Sequence, residues 1–274
     1  MNSSIVSLSE MAKQIKNGHK VVLFKDCSVP MELGRTLIKQ GTKDLHLVTV
    51  PTGSMLPDML IGAGCVATVE TSGVSLGEFG LAPQFGSAVK SGRIKILDAT
   101  CPAIYAGLQA AEKGLPFIPL RGLIGSDVLK NREDFRVIDN PFMENDPIVV
   151  LPAIAPDVAI FHAGMADVYG NVYIARQAEL KIISHAATKT LVTVEEIVDF
   201  NILEQPELAP AALSAMYVDG IALVPNGAWP LNLPGYYDYD RSSIKAYAVA
   251  AENDSSFKTW LETQNSSSKA NSNS

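Results

Sequence analysis

Short apolar runs, each followed by a loop and then a helical pattern, constrain this chain more than any other feature. KVVLF at 20–24, LHLVTV at 45–50, CVATVET at 65–71, IKILD at 94–98, VAIFHA at 158–163, TKTLVTV at 188–194 and IALV at 221–224 are such runs. Continuous apolar runs of this length mark strands covered on both faces. Between them, helical spacing predicts helices over 7–17, 30–39, 82–91 and 103–113, with a helical turn over 56–60. Pro30 is tolerated in a first turn, and Gly18 and Gly41 close their helices. Further strands are expected to begin at 117–119 and to cover 148–151. The rhythm predicts an α/β fold with an open, largely parallel sheet flanked by helices. The irregular stretch from 131 to 156 breaks it and implies an added lobe or mixed strands.

The chain has 274 residues, 47% of them hydrophobic, enough for one large core or two closely joined lobes. Residues 1–255 are taken as a single domain. The net charge of −7 and the lack of a basic run exclude nucleic acid as an expected partner. Cys27, Cys65 and Cys101 are widely spaced, and the four histidines show no ligand spacing. Neither a metal site nor a disulfide framework is expected, which suits a reducing, cytoplasmic setting. The first eighteen residues have no apolar segment of a secretory signal, and no run reaches membrane-spanning length. Residues 265–274 contain only Asn, Ser, Lys and Ala. Such a tail cannot offset its ordering entropy, so 256–274 is expected to be disordered. The segment from 236 to 253 before it is expected to be partly helical.

Five segments are candidates for chemistry. The loop KDCSVP at 25–30 leaves the first strand for a helix, where open α/β sheets collect ligands. It lacks the glycines of a nucleotide-binding signature, so a plain connection is the alternative. In SGVSLGEFGLAPQF, at 72–85, Glu78 is the one charge among small or apolar residues. A carboxylate in apolar surroundings has its charged form disfavoured, which fits a general acid/base or a nucleophile. The plain alternative is a loop glutamate facing water. In PFIPLRGLIGSD, at 116–127, Gly122 and Gly125 allow close backbone approach. There Arg121 can hold a carboxylate and Ser126 can donate a hydrogen bond, or the stretch is a surface turn with an Arg–Asp pair. His162 reads as a satisfied strand-end histidine, and Asp167, Gly170 and Asn171 as turn residues. Glu195 and Glu196 follow a strand and read as structural, one bonding to backbone in the interior.

In order along the chain, VPMEL at 29–33, GEFGLAPQFGSAVKSGRIKI at 77–96, AAEKGLPFIPLRGLIGSD at 110–127, PDVAIFHAGMADVYGNVYI at 156–174, LVTVEEIVD at 191–199 and VPNGAWPLNLPGYYDYD at 224–240 resemble one family. That family is the class I coenzyme A transferases, in particular the A (alpha) subunit of the glutaconate type. The likeness runs from about residue 21 to about residue 240. It implies a fold like that of the CoA-transferases and sugar-phosphate isomerases. It also implies pairing with a homologous B (beta) subunit, in a heterotetramer or larger. The substrate is a CoA thioester, with no permanently bound cofactor and no metal.

In such transferases a glutamate attacks the acyl-CoA thioester, and acyl-enzyme anhydride and enzyme–CoA thioester follow in turn. Backbone donors stabilise the tetrahedral oxyanions. The nucleophile belongs to the B subunit, while no segment here matches its motif, such as SENG. The A subunit contributes a glycine-rich loop after its first strand. Here Lys25 and Asp26 stand where small residues are expected, a departure from that loop. The resemblance makes Lys25, Asp26, Ser28, Arg121, Gly125 and Ser126 the candidate contacts for substrate or CoA. Glu78 matches the glutamate of the GE segment and is the candidate catalytic residue. A pocket lined by Phe79, Leu81 and Phe85 would suit an apolar or cyclic acyl group.

Two other roles resemble this one. Hydrolases of the same two-subunit build open the rings of cyclic ketone–CoA thioesters in steroid degradation, and there Glu78 would be the acid/base itself. A non-catalytic CoA-ester-binding subunit is the third, since related folds also serve isomerases and transcriptional sensors.

Overall fold

The computed structural model describes residues 5–25 and 27–270, without the side chains of 265–270. Asp26 and residues 271–274 lie outside the described residues. Helix α1 (Leu8–Lys13) opens with a capping box, in which Ser7 accepts from the Glu10 amide and Glu10 accepts from Ser7. Then follow β1 (Lys20–Phe24), α2 (Met31–Lys39), β2 (Leu45–Val50), α3 (Met55–Gly62), β3 (Val66–Thr71), α4 (Pro83–Lys90), β4 (Lys95–Asp98) and α5 (Cys101–Glu112). Next come β5 (Phe117–Leu120), α6 (Asp127–Asn131), β6 (Arg136–Asp139), β7 (Pro147–Pro152), β8 (Val158–Asp167), β9 (Val172–Tyr173) and α7 (Glu179–Ala186). The chain continues with β10 (Lys189–Val198), β11 (Ala212–Leu213), β12 (Gly220–Leu223), α8 (Arg241–Ala250) and α9 (Asp254–Ala270).

The main sheet is parallel in the order β12-β10-β8-β1-β2-β3-β4, with β9 and β11 added antiparallel at one end. Its strands alternate between two cores. Val21, Leu23, Leu45 and Leu47 face α1–α4, α8 and α9, whereas Val22, Phe24, Val48 and Val50 face α5 and α7. Burial on both faces is why these runs are apolar throughout. The irregular stretch is a separate three-stranded antiparallel sheet, β5-β7-β6, which meets the expectation of mixed strands.

From β1 the chain proceeds outward through β2, β3 and β4. It then returns to β8 and proceeds outward the other way through β10 and β12. The order therefore reverses between β1 and β8. In open α/β sheets the crevice beyond the strand carboxyl ends at such a switch point takes the ligand. The expected disorder of 256–274 is corrected over 256–270, because α9 runs through it. Phe257 is fully buried against the core, and its ring lies 6.4 Å from that of Tyr247. One aromatic anchor of this kind supplies the burial that the polar tail lacks.

Candidate functional site

Loops from three neighbouring strands meet at the carboxyl edge of the sheet. Residues 51–55, after β2, pair with the loop after β3 through a Gly53–Val74 bridge and the Gly53 amide to Gly73 carbonyl bond of 2.8 Å. The loop after β3 then folds back on itself. Leu76 N–H donates to the Gly80 carbonyl, Gly80 N–H donates to Gly77, and Ser75 bridges Leu81. Gly77 and Gly80 have φ of 62° and 110°, which explains the glycines on both sides of Glu78. Glu78 thus sits at the tip of a one-turn 3₁₀ helix, Gly77–Phe79.

Behind this tip is a cleft of about 200 Å³, lined by Ser54, Met55, Leu76, Gly77, Glu78, Phe79, Leu231, Tyr239 and Ile244. The expected apolar enclosure of Glu78 does not hold within this chain. Its side chain is 56% exposed and accepts a 2.7 Å hydrogen bond from Arg241, the first residue of α8. Its sequence neighbours are apolar, but the tight turn lifts the carboxylate to the rim of the cleft. Of the expected apolar lining only Phe79 is present. Leu81 is 85% exposed, and Phe85 packs against the core beneath α4.

The loop after β1 reaches the same edge. The Lys25 carbonyl accepts a 2.5 Å bond from the Ser54 hydroxyl, which ties that loop to the cleft wall. Ser28 is buried with φ of 56°, and its hydroxyl donates to Gln177 at 2.6 Å. The Ser28 carbonyl accepts from the His162 amide at 2.7 Å, so the loop extends the pairing between β1 and β8 across the switch point. Asp26 lies outside the described residues. Arg121, Gly125 and Ser126 are not brought to this cleft. Arg121 follows β5 in the small sheet and forks onto Asp146, with its second bond at 2.8 Å. Gly125 takes φ of 81°, and Ser126 caps α6 by accepting from Leu129. The surface turn with an Arg–Asp pair therefore describes this segment, with Asp146 as the acid rather than Asp127.

The return segment from 225 to 241 closes the crevice, and a buried polar cluster holds it. Glu195 accepts from His162 Nε2 at 2.7 Å, from the Tyr237 hydroxyl at 2.6 Å and from the Asn226 amide at 2.7 Å. His162 Nδ1 pairs with the Thr193 hydroxyl at 2.8 Å. Burial pushes the Glu195 carboxyl up, but these hydrogen bonds outweigh it and hold the group below the usual carboxylate range. A Cβ on Gly227 would come within 2.6 Å of the His162 ring, so the segment packs directly over it. The structural readings of His162 and Glu195 hold, and Asp167 serves its turn as expected, accepting from the Tyr169 and Asn171 amides.

Arg241 and Tyr239 are the site residues that sequence reasoning missed. Glu78 and Arg241 are 163 positions apart, so no local pattern links them. The one legible signal is Asp240, whose side chain caps α8 by accepting from the Ser243 amide. Among the described residues, no group of three or more His, Cys, Asp or Glu is placed to hold a metal ion. No helix among them is long and apolar enough to cross a membrane.

Comparison with known proteins agrees with this geometry. The alpha chain of 3-oxoadipate CoA-transferase from Pseudomonas knackmussii is 30% identical over 271 residues, covering 95% of this chain and 93% of that one. The cholesterol ring-cleaving hydrolase IpdA subunit of Rhodococcus jostii is 27% identical, covering 96% and 92%. The crystal structure of glutaconate coenzyme A-transferase from Acidaminococcus fermentans superposes with a TM-score of 0.89 at 27% identity, covering 95% of this chain and 88% of that one. The decarboxylase AibA/AibB superposes at 0.81 with 28% identity, covering 94% and 97%. The family model described as coenzyme A transferase matches residues 5–219. The chain belongs to the coenzyme A transferase family.

Proposed function

We propose that this chain is the A (alpha) subunit of a two-subunit, cytoplasmic CoA-transferase that moves CoA between an acyl-CoA thioester and a carboxylic acid. What carries the reading is the end-to-end likeness to the alpha chain of a CoA-transferase. The cleft supports the need for a partner. At about 200 Å³ it falls below the roughly 300–1,000 Å³ of complete small-molecule sites. A homologous B subunit, in a heterotetramer or larger, would supply the missing wall and the nucleophilic glutamate. That glutamate displaces CoA as thiolate and forms an acyl anhydride. The thiolate returns to release the acyl group as carboxylate and leaves CoA on the enzyme. The acceptor acid then repeats the two steps in reverse. In this scheme Glu78 faces the reacting groups and supports the partner's nucleophile. Lys25, Ser28 and the loop that carries them border the thioester, and the turn with Arg121, Gly125 and Ser126 is a candidate contact for the rest of CoA.

The second reading is a CoA-ester ring-opening hydrolase with Glu78 as acid/base. The observation that favours it is a cleft carrying its own carboxylate while Lys25 replaces a small residue in the loop after β1. A non-catalytic CoA-ester-binding subunit is the third. Co-purification with the partner chain, then incubation with acyl-CoA and hydroxylamine, separates them. A transferase is inactivated through its enzyme–CoA thioester and exchanges CoA only when an acceptor acid is present. Product release without an acceptor, and without inactivation, identifies the hydrolase. No turnover of any kind leaves the binding subunit.

A further inference from the structure

The geometry points to Arg241 as the anchor for a carboxylate carried by the acyl group of the CoA ester, so that the preferred substrates are short, carboxylated acyl-CoAs. This rests on the proposed CoA-ester function and adds the substrate class and the residue that selects it.

The cleft divides by chemistry. Its walls are mostly apolar, with Met55, Leu76, Phe79, Leu231 and Ile244. The Ser54 hydroxyl on that wall is committed to the Lys25 carbonyl. Positive charge stands at the rim, where Arg241 Nη1 meets Glu78 and its guanidinium lies 6.0 Å from the centre of the Phe79 ring. An acyl group that satisfies both regions has an apolar body and an anionic end.

Arg241 has the capacity for such an end. A guanidinium carries five N–H donors in a fork that suits carboxylates. In this structure one hydrogen bond, to Glu78 Oε2, draws on that fork. Both side chains are more than half exposed, at 65% and 56%. Exposed pairs of this kind contribute about 0–1 kcal/mol, so a second carboxylate can share or displace Glu78 at small cost. The arginine is nevertheless well placed before any ligand arrives. Asp240 caps the helix just before it, and Ile244 and Tyr247 fix that helix in the core. Arg241 also lies beyond residue 219, where the match to the family model ends. The selectivity therefore belongs to the C-terminal part of this chain rather than to the segment that defines the family.

The test is calorimetric binding of glutaryl-CoA and pentanoyl-CoA to this chain in complex with its B subunit. The two acyl chains are equal in length and differ in the terminal carboxylate. Glutaryl-CoA is expected to bind at least tenfold more tightly, and Arg241→Gln is expected to bring the two esters to within threefold of each other. The double variant Glu78→Gln with Arg241→Gln is expected to stay at that parity. Recovery of the glutaryl preference in the double variant would mean that unmasked Glu78 charge caused the loss, and overturns the assignment. Equal affinities in the natural protein, or a preference that survives Arg241→Gln, overturn it as well and leave the CoA-ester function standing. If neither ester binds, the proposed function fails and this inference fails with it.

Discussion

Glu78 and Glu195 each lie 2.7 Å from a nitrogen of a basic side chain, yet their surroundings are opposite. Glu78 takes one hydrogen bond, from an arginine, and its side chain is 56% exposed. Glu195 takes three, from His162, Tyr237 and the Asn226 amide, with its side chain 10% exposed. Water competes for every contact that Glu78 makes, so that pair can open for a ligand. Glu195 has donors on both oxygens and little access to water, so it acts as a fixed post for the return segment. That segment then carries Leu231, Tyr239 and Arg241 to the cleft. A carboxylate that anchors the frame is over-supplied with donors, and one that works on substrate is under-supplied.

The largest effect is expected at the anchored member. Glu195→Ala leaves His162, Tyr237 and the Asn226 amide without their acceptor. Stranding buried donors and breaking a buried pair costs about 3–5 kcal/mol. Urea unfolding should show that loss, and hydrogen exchange should show the Asn226 amide opening first. A loss below about 1 kcal/mol would mean that the post bears little of the frame.

A third carboxylate extends the contrast. Asp58, on α3, is fully buried and accepts from the Tyr247 hydroxyl at 2.6 Å and from the Phe85 amide at 2.6 Å. Burial outweighs these donors and raises its carboxyl from 3.8 to about 6, opposite in direction to Glu195. A carboxyl raised in this way binds its proton more tightly in the folded chain. Its contribution to stability is full below the unfolded value of 3.8 and is lost as pH rises through about 6. At 1.36 kcal/mol per pKa unit the span is at most about 3 kcal/mol. Unfolding at pH 4 and pH 7 should show the natural protein losing that much relative to Asp58→Asn. A constant gap between the two proteins across this range would show that Asp58 stays ionised.

At the exposed member the effect shifts from stability to rate. In the complex with the B subunit, Glu78→Gln should lower turnover at least 100-fold, within the usual span for acid–base groups. The melting temperature should move by less than about 2 °C, because an exposed pair contributes little. Full turnover in this variant would remove Glu78 from the chemistry.

The fold was legible where the physics is local. Runs such as 20–24 and 45–50 read as strands because both of their faces are buried, and the structure places them there. Where polar residues interrupt the run, strands extend further than the pattern shows. β8 and β10 continue to Asp167 and Val198 because they pair with each other beyond the sheet body. α7 escapes the pattern although Leu180 and Ile183 have helical spacing, since one turn of spacing is a weak signal. The candidate site was legible only in part. The glycines on both sides of Glu78 announce a turn, but the exposure of its carboxylate depends on contacts made elsewhere in the chain. Arg241 could not be found from its neighbours, because its partner arrives only when β3 and α8 are packed together.

The smallest expected effect is the most discriminating. Arg241→Gln removes an ion pair with a good 2.7 Å distance, yet folding stability should fall by less than about 0.5 kcal/mol. Two long exposed side chains lose rotamer freedom to meet, and salt screens what they gain. Urea unfolding in low and in moderate salt checks this, and the small difference between natural and variant proteins should shrink further as salt rises. A loss of about 2 kcal/mol or more that persists in salt would place Arg241 with Glu195 as part of the frame, and a ligand could not then draw it away from Glu78. A negligible loss, beside a large loss of affinity for the carboxylated ester, means that the pair is kept for its exchange with substrate rather than for its strength.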